Sequence, residues 1–169
     1  MQTAISEEMK RKIYCLKFDS FNPDLPSLNQ ARSYINSIDF TMIILKISRP
    51  DPNISRIWDE DCARQVVQYY KNYLWLLRKY SEEYPVLPPS VEIDEIWHHH
   101  ILDTYKYHND CLNIFGQYLH HYPYFGMRGE QDRIELNNTF KLTQQCYFQE
   151  FGEYIYSFET EESDHQNLL

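Results

Sequence analysis

The chain is poor in glycine and cysteine and carries fewer basic than acidic residues, and each shortage argues against a class of protein. It has 4 glycines in 169 residues, so it contains no glycine-rich segment. Its 4 cysteines are widely scattered, and without a secretory signal we expect free thiols rather than disulfides. The net charge of −9 argues against nucleic acid or an anionic membrane as a partner, because both favour basic patches.

Long hydrophobic runs are also lacking. No apolar run approaches the roughly 20 residues that a membrane-spanning helix needs, and residues 1–12 are too polar for a signal peptide. We therefore expect a cytoplasmic protein. A chain of 169 residues is long enough for one domain with a full core. We expect residues 1–158 to form that single helical domain and residues 159–169 to form an acidic, disordered tail.

The secondary-structure pattern is helix after helix, with few strand signals. Pro- and Asn-rich loops separate segments whose apolar residues recur with helical spacing. The pattern predicts an all-α fold, a compact helical bundle with three long helices plus shorter N-terminal helices. In such bundles, functional sites are built between facing helices. The predicted helices cover residues 6–18, 28–38, 41–47, 60–81, 91–116 and 132–158.

What the chain does have is a dense group of histidines, and six of its seven fall between residues 98 and 121. Acidic residues lie among them. Imidazole is a common protein ligand for zinc, copper and iron, and carboxylates complete such sites. The clustering therefore predicts a bound transition metal ion, either iron, copper or zinc. The candidate ligands are Asp94, His98, His100, His108, His120 and His121.

A helix beginning near Val91 would give these side chains different directions. Ser90 is a suitable N-cap, and at about 100° per residue Asp94 and His98 lie one turn apart, where their side chains can meet. Both fall on a wide apolar face that we expect to be buried, together with Tyr105 and His108. The catalytic candidates on this face are Asp94, His98 and Tyr105. His99 falls on the opposite, solvated face.

The remaining polar residues of the segment are expected at the edge or on the solvated side of the helix. His100 falls at the edge of the apolar face. Asp103 and Asp110 fall on the polar face, where contact with solvent is the simpler expectation.

His98 and His121 are 23 residues apart, or about 35 Å along a straight helix, so they can bind one ion only if the chain turns back. We expect the helix to end near Gly116 or to break within the segment. His120 and His121 are adjacent and point in different directions. We favour His121 as the ligand, because the turn forced by Pro123 begins beside it.

Three hypotheses about function remain open. The first is a metal-dependent enzyme, because two histidines and one carboxylate suit non-haem Fe(II), whereas three histidines suit zinc or copper. The second is a metal-free enzyme in which His98, oriented by Asp94, is the general base. The third is a helical protein-interaction module with structural histidines, since the spacing matches no known ligand signature. The substrate class is left open between a small molecule, a peptide and a protein.

The segment also resembles a known family at particular residues. These are Asp94, the Trp-His-x-His run 97–100, the Ile-Leu-Asp-Thr run 101–104, Tyr105, Asp110-Cys111, Phe115-Gly116, and the Leu-His-His-x-Pro run 119–123. This pattern resembles the core motif of the glycine-rich-domain-containing-protein-like family over about residues 38–128. The chain would be a short form without the glycine-rich tail. The resemblance implies a fold and a motif rather than a reaction, and it favours His98 and His100 over His99.

Overall fold

The computed structural model describes residues 23–50 and 56–155, which form six α-helices and no strand. This confirms the all-α prediction. No helix in these two stretches is both long enough and apolar enough to span a membrane. The predicted helix over residues 6–18 and the predicted tail lie outside the described residues. The helices are α1 (Leu28–Ser37), α2 (Thr41–Ile47), α3 (Glu60–Tyr80), α4 (Val91–Leu102), α5 (Thr104–Phe115) and α6 (Glu130–Phe151).

The core is built around α3, which contacts α1, α2, α4 and α6. Asp59 caps its N-terminus, because its carboxylate accepts hydrogen bonds from the backbone N–H groups of Asp61 and Cys62. More than half of the α3 residues are buried, including the fully enclosed side chains of Tyr70 and Leu76. A helix buried on several sides fixes the positions of the elements packed against it.

The first two helices are separate rather than continuous. Ile38 is extended at the end of α1 (φ −61°, ψ 128°), which turns the chain before α2 begins. The apolar run 41–47 is a buried helix, as predicted, with Ile43, Ile44 and Ile47 in the core. The last helix, α6, ends at Phe151 before Gly152 (φ 73°), so the prediction that it continues to residue 158 is wrong.

The segment predicted as one helix after Ser90 is two helices that meet at Asp103. Asp103 has φ −82° and ψ 72°, which is not a helical conformation. Its backbone N–H donates to the His100 carbonyl at the end of α4, and its carboxylate accepts from the Lys106 N–H at the start of α5. Asp103 therefore terminates one helix and caps the next. The long helix predicted over residues 91–116 is therefore divided into α4 and α5.

Gly116 ends α5 and reverses the chain, as predicted. It adopts a left-handed conformation (φ 67°), and its N–H donates to the Leu112 carbonyl. A Cβ at this position would lie 3.0 Å from the Cα of Leu25 and 3.2 Å from the carbonyl oxygen of Asp24. Only glycine combines this conformation with such close backbone contact. The residues after Gly116 then run back toward α4.

Replacing Gly116 with alanine should therefore destabilise the protein more than the same change at Gly152. Gly152 is also left-handed (φ 73°), but an added Cβ there meets nothing within 4 Å. We expect Gly152→Ala to cost about 1 kcal/mol from the backbone conformation alone. Gly116→Ala should cost at least about twice as much, as measured by urea denaturation. Equal losses in the two variants would mean that the contact with residues 24 and 25 is unimportant.

Candidate metal centre

The helix break and the turn at Gly116 bring Asp94, His98 and His121 together. Asp94 and His98 lie one turn apart on α4, and His121 lies in the loop after α5. The Nε2 atom of His121 is 2.8 Å from Asp94 Oδ1 and 2.9 Å from His98 Nε2, and His98 Nε2 is 3.5 Å from Asp94 Oδ2. In the part of the chain that the structure describes, this is the one group in which three such donor atoms lie within 4.8 Å of one another.

Aromatic packing fixes the orientation of His121. Its ring stacks on Trp97, with centroids 4.3 Å apart and planes 19° apart, and on His98, with centroids 4.8 Å apart. The His121 side chain is 10% exposed, whereas those of Asp94 and His98 are 32% and 49% exposed. The group is thus rigid on its inner side and open to solvent on its outer side. An ion can reach it without any change in the core.

Hydrogen bonds alone cannot account for all the short contacts among the three side chains. A ring nitrogen carries either one hydrogen or one lone pair, so His121 Nε2 cannot make two full hydrogen bonds, one to Asp94 and one to His98. A metal ion, in contrast, accepts a lone pair from every one of them. Ligands about 2.1 Å from an ion, at angles between octahedral and tetrahedral, lie about 3.0 to 3.4 Å apart. His121 Nε2 lies 2.8 Å from Asp94 Oδ1 and 2.9 Å from His98 Nε2, which is close to that range, and the separation of 3.5 Å joins His98 Nε2 to the other carboxylate oxygen, Asp94 Oδ2.

A cavity of about 400 Å³ adjoins the group, and Asp94, Trp97 and His121 form part of its wall. The rest of the wall comes from α3, from the proline-rich connection between α3 and α4, from the loop after α5, and from Leu136 of α6. Asp94 and His121 therefore belong both to the three-residue group and to the wall of this cavity. A molecule bound in this cavity would lie beside them.

His100 is not part of this group but lies in the core, 1% exposed. Its Nδ1 is 2.9 Å from the Tyr70 hydroxyl and its Nε2 is 2.9 Å from Asp110 Oδ2. Both ring nitrogens are thus paired: Nε2–H donates to the carboxylate and Nδ1 accepts from the phenol. The expectation that Asp110 is solvated is wrong, because it is 2% exposed.

Asp110 is held by donors from three helices. The Tyr34 hydroxyl of α1 donates to Oδ1 at 2.6 Å, while His100 of α4 and the Lys106 ammonium of α5 donate to Oδ2 at 2.9 and 3.0 Å. Burial by itself would raise the pKa of the Asp110 carboxyl, but these hydrogen bonds outweigh it and hold the pKa below its ordinary value. We call Tyr34, Tyr70, His100, Lys106 and Asp110 the Asp110 network.

Several orientations predicted for the histidine segment are wrong, because the prediction assumed a single continuous helix. His98, expected in the core, is half-exposed, and Tyr105, expected beside it, is 89% exposed. His99, expected in solvent, is partly buried, and this burial lowers its pKa. The break at Asp103 changes the rotation of α5 relative to α4, so a single helical wheel cannot describe both.

The other two candidate ligands lie away from the group. His108, expected on the buried face, is exposed, as is His120, and both rings lie near Tyr118, with centroids 6.0 and 4.9 Å from its ring. Neither His108 nor His120 belongs to the group formed by Asp94, His98 and His121. Of the six ligands suggested by the sequence, the structure brings three together and distributes three elsewhere.

Comparison with known proteins identifies a family. A family model described as UCP032817-like matches residues 30–155, which is most of the chain, and the chain belongs to that family. The expected membership in the glycine-rich-domain-containing-protein-like family is wrong, since the match is to a different family. No curated protein and no solved structure shows significant similarity to the chain. The description of the family names no activity, so function has to be argued from the site.

The Asp110 network predicts a pH-dependent loss of stability on mutation. Asp110→Asn removes a buried carboxylate from its paired donors and should cost about 3 kcal/mol near neutral pH. A carboxyl whose pKa is lowered by folding stabilises the protein above its unfolded-state pKa, and this stabilisation is lost as the pH falls through its folded-state pKa. The difference in the free energy of unfolding between wild type and Asp110→Asn should therefore become smaller below about pH 4.

Urea denaturation at pH 7 and at pH 3 measures the difference in the free energy of unfolding between wild type and Asp110→Asn at each pH. Asp61→Asn is the control, because Asp61 is an exposed aspartate on α3 and should change stability by no more than about 0.5 kcal/mol. A gap between wild type and Asp110→Asn that stays constant or widens with acid would show that the carboxylate is not the stabilised species.

Proposed function

We propose that this protein binds one divalent transition-metal ion through Asp94, His98 and His121 and uses it as an enzyme on a small organic molecule. The observation that carries the proposal is the convergence of one carboxylate and two imidazole nitrogens at separations of 2.8 to 3.5 Å. Such donors suit Fe(II), Zn(II) or Cu(II). The adjacent cavity suits a small-molecule substrate, and the net charge of −9 argues against nucleic acid as the substrate. We propose that the protein acts in the cytoplasm.

The composition of the site favours a catalytic rather than a structural ion. Structural zinc sites are closed by four protein ligands, whereas catalytic sites keep a position open. Three protein ligands, two of them partly exposed, leave such a position beside the cavity. A bound ion would polarise a substrate or activate water or O₂. Asp94 contributes the negative charge that offsets the ion, and Trp97 holds the His121 ring in place by stacking.

His100 shows what a purely structural histidine looks like in the same helix. It is enclosed, and each of its nitrogens has a separate partner. His98 is half-exposed, and its Nε2 lies close to a second imidazole Nε2 rather than to a separate acceptor. This contrast supports a metal at His98 over the metal-free alternatives, in which Asp94 with a histidine is a general base or a simple structural pair.

Metal titration of untagged, chelator-treated protein tests the proposal. We expect about one equivalent of Zn(II), Cu(II) or, without oxygen, Fe(II) to bind per chain. At a free metal concentration 100 times the dissociation constant, binding stabilises the fold by about 2.7 kcal/mol. For a chain of this size that corresponds to a rise in Tm of about 5 to 10 °C. No binding of any of the three ions would refute the proposal.

Matched variants then locate the site. His121→Gln and Asp94→Ala each remove one of three ligands and should weaken metal binding at least about 100-fold, because outer partners alone are worth 10- to 100-fold. His120→Gln is the control, since His120 is the exposed neighbour of His121 and lies outside the group. Equal affinity in His121→Gln and His120→Gln would exclude the proposed ligands.

A further inference from the structure

We infer that the cavity beside the metal centre binds an uncharged, flat, largely apolar molecule whose single polar group faces Asp94 and His121. The inference deepens the proposed function, and it rests on that proposal for the reaction but not for binding. We use the name cavity pocket for the space lined by α3, by the connection 85–91, by Asp94 and Trp97 of α4, by the loop 117–127 and by Leu136 of α6.

The size of the cavity pocket suits a small molecule. Its volume of about 400 Å³ lies within the range of roughly 300 to 1,000 Å³ that is typical of small-molecule sites. Most of its lining is aliphatic or aromatic. The apolar side chains include those of Tyr73, Val86, Leu87, Trp97, Leu119 and Phe125.

Key polar atoms in this wall already have partners in the protein. The Tyr73 hydroxyl donates to the Leu87 carbonyl at 2.7 Å, and the Trp97 indole N–H donates to the Tyr107 hydroxyl at 3.0 Å. The Leu119 carbonyl accepts from that same Tyr107 hydroxyl at 2.6 Å. Tyr73 and Trp97 therefore offer a ligand their carbon surfaces. Ser90, Gln117 and His120 also contribute polar groups to the lining, and the polar anchor that we assign is the pair formed by Asp94 and His121.

Charge argues against an anionic ligand. Among the described residues that line the cavity pocket, none is lysine or arginine, and Asp94 is the acidic one. In the metal-free protein, a carboxylate or phosphate placed here would lose its hydration without a lysine or arginine to pair with, and Asp94 would repel it. The rings of Tyr73, Trp97 and Phe125 favour a flat aromatic body. An aromatic alcohol has the required combination of features.

Calorimetric titration of metal-free protein at pH 7 with two probes of the same ring system tests the inference. The probes are 2-naphthol, which is neutral, and 2-naphthoate, which is an anion. We expect 2-naphthol to bind with one site per chain, and 2-naphthoate to bind at least about 10-fold more weakly. Equal or tighter binding of 2-naphthoate, or no binding of either probe, would overturn the inference.

A pair of tryptophan substitutions assigns the binding to the cavity pocket. Val86→Trp places a large side chain at a partly buried lining position and should weaken 2-naphthol binding at least about 10-fold. Met42→Trp, at a position that is 75% exposed and remote from the lining residues, should leave it unchanged. Melting curves for both variants show whether they are folded.

Unchanged 2-naphthol binding in folded Val86→Trp would place the site elsewhere and overturn the inference. Should Val86→Trp fail to fold, chemical-shift changes at the Trp97 indole N–H of the wild type on adding 2-naphthol decide instead, and their absence would refute it. Because these titrations use metal-free protein, their failure is distinguishable from failure of the metal titration.

Discussion

The constraint on which the rest of the site depends is the interruption of the helix at Asp103. A straight helix would hold His98 and His121 about 35 Å apart. Asp103 ends α4 and caps α5, and Gly116 then reverses the chain in a conformation that only glycine adopts readily. Together these two changes of direction bring the two Nε2 atoms to 2.9 Å. The candidate metal centre is therefore a product of chain direction as much as of residue type.

The Asp110 network holds the two halves of this broken helix against the core. The Asp110 carboxylate on α5 accepts a hydrogen bond from His100 on α4, across the break. Tyr34 from α1 and Tyr70 from α3 complete the connection. The two histidines that the resemblance favoured thus differ in their surroundings: His100 faces the core and joins helices, while His98 is half-exposed beside Asp94 and His121. We infer that the core contacts of His100 hold α4 in place and thereby support the position of His98.

Features fixed by local chemistry could be predicted from the sequence, whereas features fixed by long-range packing could not. Ser90 was recognisable as an N-cap, and Gly116 as a helix end, because capping depends on neighbouring backbone groups. The orientations of His98 and Asp110 depend on the break at Asp103. The signal for this break is an aspartate that can cap α5, and such an aspartate resembles any polar residue on a solvated face.

Partners distant in the chain left even less of a signal. Tyr34 lies 76 residues from Asp110 and Tyr70 lies 30 residues from His100, so neither pairing follows from helical spacing. The stacking of His121 on Trp97 and the cavity behind it likewise arise only when the loop after α5 returns to α4. Composition suggested a metal, but only the fold showed which three of the six candidate ligands converge.

Anomalous X-ray diffraction from crystals of the metal-loaded protein tests the central claim most directly. Data collected on either side of the absorption edge of the added ion locate it independently of any assumption about its ligands. We expect one strong peak per chain at about 2.1 Å from a carboxylate oxygen of Asp94 and from the Nε2 atoms of His98 and His121. A peak centred on other side chains, or fully loaded crystals with no peak at these three residues, would contradict it.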